Sequence, residues 1–150
     1  MDTQDDVLIK NRVMLVHFDS YSTALVFAKW NETLLLPAGL PASAELTSAP
    51  DEPAAAHDGE AVKAAVIERL GLNPAEVVRA CDFNHWVSTE TGPVRVHLLR
   101  FTTFEAPKAA LEPHGGVFRP ISALRGGVLV ELLLAREVFN LIVGAGGGKA

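Results

Sequence analysis

Few residues in this chain are able to do chemistry, and spacing removes most of them. The five histidines, His17, His57, His85, His97 and His114, show no metal-ligand spacing within a helix, although His85 and His97 fall on neighbouring strand candidates where their rings can approach. No G-x-S-x-G elbow occurs, so a serine hydrolase has no support. The tail Gly146-Gly147-Gly148-Lys149 lacks the earlier glycine, the following Ser or Thr and the helix that a phosphate loop needs. Cys81 is the only cysteine, which excludes an intrachain disulfide and a multi-cysteine zinc site. It reads as a small buried apolar side chain in a reducing compartment. What remains is the stretch from Leu36 to Leu72, where Gly39 closes a strand, Glu45 follows six positions later, and Glu60, Glu68 and Arg69 ride on one helix.

The elements that must position these groups follow from apolar patterning. Residues 12–18 and 23–28 are apolar and β-branched, and the turn formers Asp19, Ser20 and Ser22 separate them, which predicts a hairpin. A short third strand, Thr33 to Leu36, stops at Pro37. Residues 37–58 hold four prolines and little periodicity and read as one long loop, of a length that tends to be functional or mobile. Asp58 as N-cap, Glu60 in the first turn and the stop Gly71 frame a helix that runs to Leu70. Two long strand candidates, 77–88 and 93–104, are joined at Thr89 to Gly92; a last short strand covers Val117 to Ile121. In a terminal helix Val128, Leu132, Ala135, Phe139 and Ile142 form an apolar stripe, with Arg136, Glu137 and Asn140 opposite. Strands, a helix, more strands and a final helix predict one mixed α/β or α+β domain over 1–150, its sheet covered on both faces and its ends, 1–6 and 144–150, flexible.

The stretch Leu36-Pro37-Ala38-Gly39, with Glu45 and then Ala64-Ala65-Val66-Ile67-Glu68-Arg69-Leu70-Gly71-Leu72, resembles the Nudix box, G-x5-E-x7-R-E-U-x-E-E-x-G-U with U a bulky aliphatic residue. The likeness extends along nearly the whole chain: strands before the loop, a long hairpin after the helix, the segment from Glu112 to Leu124, and a terminal helix. It implies an α/β/α sandwich, with a mixed sheet between the box helix and the C-terminal helix. In that family carboxylates on one face of the box helix bind magnesium or manganese, and water attacks a diphosphate linked to a nucleoside. The physics is that i, i+3 and i+4 share a helical face and hard cations take oxygen ligands that also bridge phosphates.

Here those three positions are Ala65, Glu68 and Arg69, so only Glu68 matches. Ala64 stands where the box has Arg and Ala38 where it has the first Gly; Gly39 to Ala64 spans 25 positions where the pattern gives 14, a lengthening of 11. Glu45 keeps its spacing from Gly39, while Glu60 after Gly59 is a competing match. Glu112 lies in the loop before the last strand, where some family members carry a catalytic carboxylate. Two functions are therefore expected. The first is a Nudix-like domain with a degraded metal site and no resident cofactor, binding a phosphorylated small ligand or a protein partner through Arg69 and the Gly39, Glu45 and Glu60 region. The alternative is a magnesium- or manganese-dependent hydrolase in which Glu68 and Glu112 do the catalysis and Glu45 or Glu60 helps rebuild the metal site. Trp30, Trp86 and Phe118 read as core, with base stacking as the rival role.

Composition narrows the partners. Thirteen Lys and Arg against 18 Asp and Glu give a net charge of −5, which repels polyanions and speaks against nucleic acid. The acidic start Met1 to Asp6 is unlike a secretory signal, so a cytoplasmic address is expected. The apolar stretch 126–148 is interrupted by Glu131, Arg136 and Glu137 and reads as a helix that does not enter a membrane. Leu129, Val130, Leu133 and Leu134 lie off the main stripe and predict a homodimer face.

Overall fold

The computed structural model describes residues 10–19, 22, 24–30, 33–36, 39–40, 43–47, 59–80, 83, 85–90, 92–123 and 129–144. The expected hairpin forms from β1 (Asn11–Asp19) and β2 (Ala24–Trp30), with Val16 opposite Phe27 and Phe18 opposite Leu25. Then come β3 (Glu45–Thr47), α1 (Gly59–Leu70), β4 (Val77–Arg79), β5 (His85–Thr89) and β6 (Gly92–Phe101). The short α2 (Lys108–Leu111), β7 (Gly116–Pro120) and α3 (Leu129–Phe139) complete the order, and a π-type turn at Asn140–Gly144 extends α3.

Seven strands make one mixed sheet in the order β3-β5-β6-β1-β2-β7, with β4 also paired to β6. The central pair, β1 and β6, runs parallel, with Val13 opposite His97 and Leu15 opposite Leu99. All the other pairings are antiparallel. Successive strand residues face opposite sides, so the sheet carries two cores. On one face Val13, Leu15, Leu99 and Phe101 pack with Val62, Val66 and Leu70 of α1. On the other Met14, Val16 and Leu98 pack with Val130, Leu134 and Val138 of α3. Strands covered on both sides need apolar residues at nearly every position, which is how 13–16 and 96–99 read.

Several expectations change. Thr33 to Leu36 forms two isolated bridges, Thr33 to Trp30 and Leu36 to Val13, because the Leu34 and Leu35 amides are taken by side-chain oxygens instead of a ladder. The long 37–58 loop contains strand β3, paired through Leu46 to Val87. The 77–88 candidate divides into β4 and β5, since the Phe83 amide turns back to the Ala80 carbonyl at 3.1 Å. His85 and His97 do not meet: His85 pairs with Val96 and touches the Phe83 ring, whereas His97 faces the other side and bonds Asn11 Oδ1 at 2.7 Å. Trp30, Trp86 and Phe118 are buried.

The terminal helix faces inward with Val130, Glu131, Leu134, Ala135 and Val138. This is the expected stripe turned by about 100°, one residue's rotation. Val130 and Leu134, read as part of a dimer face, are therefore core, and Leu129 and Leu133 stay exposed. Asp58, Cys81, Val128 and both flexible-end assignments, apart from Gly144, lie outside the described residues. No helix among the described residues is long and apolar enough to cross a membrane.

Candidate functional site

Good helix formers carry α1 from Gly59 to Leu70, and Gly71, at φ 68, stops it in the left-handed region that glycine enters without strain. Val62, Ala65, Val66 and Leu70 are its buried side. The start of α1 is fixed by Glu60, whose carboxylate accepts from Arg79 Nε of β4 at 2.8 Å. The Arg79 guanidinium lies so close over Gly59 that a Cβ there would come within 2.5 Å of it. The chain leaves α1 through Gly71 and passes a 3-10 turn at Pro74–Glu76 into β4 at Val77.

At the end of α1 His114 Nε2 donates to the Leu70 carbonyl oxygen at 3.2 Å, satisfying one of the carbonyls a helix leaves open. Glu112 shares the same short 3-10 segment, Glu112–His114, so the structure brings its stretch of chain to the turn that carries Glu68. Glu68, Arg69 and Glu112 are all exposed, and Arg69 in the last turn complements the helix dipole. Ala65, one turn before Glu68 and Arg69, is only 5% exposed and packs in the α1 core.

The other candidates are held elsewhere. Eight residues of helix, about 12 Å, separate the salt-bridged Glu60 from Glu68. Glu45 is exposed on β3, the edge strand of the sheet, three places from β1 in the strand order. Gly39 lies against the opposite helix: a Cβ there would come 3.2 Å from Thr33 Oγ1 and 3.3 Å from Glu131 Oε2. Among the described residues no group of three or more His, Cys, Asp and Glu is placed to hold a metal ion. On the helical face formed by Ala65, Glu68 and Arg69, Glu68 is the one carboxylate and a cation follows it directly.

Sequence reasoning missed Glu131. Read as a charge interrupting an apolar segment, it is only 4% exposed. It accepts from Thr33 Oγ1 at 2.7 Å and from the Leu34 amide at 2.8 Å, tying α3 to the segment that leads to Gly39. The signal was present: Glu131, Ala135, Val138 and Ile142 keep helical spacing on one side. Near the start of β1, burial lowers the Arg12 guanidinium from its ordinary value, and its Nη1 donates to the Asn11 carbonyl at 2.9 Å.

No protein-family model matches the chain, and no curated protein matches it.

Proposed function

We propose that the chain is a Nudix-like domain with a degraded metal site, which binds a small phosphorylated or nucleotide-like ligand without efficient hydrolysis. The fold supports this reading through its mixed sheet with α1 on one face and α3 on the other. The observation that carries it is the surround of Glu68: Ala65 is in the core, and Arg69 takes the place of the third carboxylate. A guanidinium about 5 Å from a divalent ion, at an effective dielectric near 20, opposes it by roughly 7 kcal/mol, where a carboxylate would attract by as much. The same guanidinium suits a phosphate oxygen, which it pairs with in a planar fork. A reducing, cytoplasmic setting belongs to the same proposal and rests on the single cysteine.

Calorimetric titration with magnesium and manganese is expected to be silent, and nucleotide sugars and nucleoside triphosphates to be left intact. Arg69→Glu is expected to gain manganese affinity, because it restores a second carboxylate one residue from Glu68. Unchanged affinity in that variant counts against the vacated-site reading.

The contact between His114 and Leu70 favours a second reading, since it carries Glu112 toward Glu68. In that reading the chain is a magnesium- or manganese-dependent diphosphate hydrolase. Manganese-dependent product release that Glu68→Gln abolishes would establish it in place of the first.

A further inference from the structure

We propose that a cavity at the carboxyl ends of β1 and β6 binds a small aromatic monocarboxylate, independently of the Nudix-like reading. The cavity, about 290 Å³, is lined by Phe18, Asp19, Arg100, Thr102, Thr103 and Phe104. That volume is at the small end of the range for ligand sites, roughly 300 to 1,000 Å³, and suits one ring with a short polar arm. Its position follows from topology: two parallel strands end side by side, β1 turning away at Asp19 and β6 at Phe101, and a crevice opens where the chains diverge.

Arg100 is the group that asks for a ligand. It is half-buried, and its guanidinium carbon stands 5.8 Å from the centre of the Phe18 ring. Among the described residues its guanidinium makes no hydrogen bond and no ion pair. A guanidinium has five N–H donors in one plane, and a ring face satisfies none of them as an acceptor does. A carboxylate, accepting two parallel bonds, matches that fork. Phe18, with Arg100 over its ring, and Phe104, 77% exposed, line the same cavity and give its wall the apolar surface that an aromatic body packs against.

The charge of the lining selects among anions. Arg100 is the one cation of the lining and Asp19 brings a carboxylate to the same cavity, so a first negative charge on the ligand can pair with the guanidinium while a second finds no partner and is opposed by Asp19. A monoanion is therefore preferred to a phosphate ester or polyphosphate. The wall is also fixed in advance. His17 Nε2 lies 2.8 Å from the Thr103 carbonyl, the Thr102 amide donates to the Glu76 carbonyl at 2.8 Å, and the Thr103 hydroxyl donates to the Glu105 carbonyl at 2.6 Å. Little ordering is left for a ligand to impose.

The test is a titration of the full chain, labelled with nitrogen-15, with phenylacetate, followed by amide chemical shifts. Saturable shifts confined to 18–19 and 100–104 are expected. Benzyl alcohol, with the ring and no charge, inorganic phosphate, with charge and no ring, and adenosine monophosphate, a dianion, are each expected to bind at least tenfold more weakly. Arg100→Gln should raise the phenylacetate Kd at least tenfold, and Arg100→Lys should recover part of the loss. Absent or scattered shifts on the unaltered chain, an unchanged Kd in Arg100→Gln, or tighter binding of adenosine monophosphate at these residues would overturn the proposal. The map on the unaltered chain decides the matter even if a variant fails to fold.

Discussion

Between the two backbone bridges at Thr33 and Leu36, the Glu131 carboxylate takes the Leu34 amide and the Thr33 hydroxyl that a strand ladder would otherwise leave to a neighbouring strand or to water. Removing its carboxylate leaves the buried Leu34 amide without an acceptor. Hydrogen bonds to charged groups contribute about 1.5 to 3 kcal/mol, so Glu131→Ala is expected to cost about 3 kcal/mol. Glu131→Gln should cost nearer 1 kcal/mol, since its carbonyl still accepts from Leu34 and its amide donates to a rotated Thr33 hydroxyl. Urea unfolding midpoints measure both, and an unmoved midpoint in Glu131→Ala would refute the tie. Single residues were unevenly legible in the sequence. That Glu68 and Arg69 lie exposed near the end of one helix follows from the helix pattern. The burial of Glu131 depends on Thr33, which lies 98 positions away and is unconnected to it by any local pattern.

At the scale of elements, α1 and the first hairpin were legible because cap, stop and turn residues are local signals. The orientation of α3 was not, because its apolar residues are too many to mark one side: Leu129, Val130, Leu132, Leu133 and Leu134 leave the choice to tertiary packing. A pair of truncations tests the observed facing. Leu134→Ala, at a fully buried position, is expected to cost about 3 kcal/mol, within the range of core leucine deletions. Leu132→Ala, at a half-buried position, should cost less than half of that. The reverse order, read from thermal or chemical unfolding, would return the helix to the stripe expected from sequence. The break between β4 and β5 was hidden for a related reason, since both halves pair with one neighbour, β6, and continue its apolar pattern.

For the whole molecule, the outer face of α3 still exposes Leu129 at 70% and Leu133 at 37%, with Phe139 at its margin. Covering them in a homodimer is our expectation for this face, narrowed from four residues to two by the burial of Val130 and Leu134. Light scattering at micromolar concentration should then give twice the 16.0 kDa chain mass, and Leu133→Glu should return it to the single value. A single mass for the unaltered chain removes the dimer.

The parallel contact at the centre of the sheet also constrains how the molecule is made. His97 meets Asn11, and Thr103 meets His17, each across 86 positions of sequence. During synthesis the first hairpin must wait, one long edge of backbone N–H and C=O groups unpaired, until translation has passed Phe101 and its neighbour emerges. Contacts so remote in sequence close slowly, which makes this a domain whose yield depends on protecting an unfinished N-terminal half.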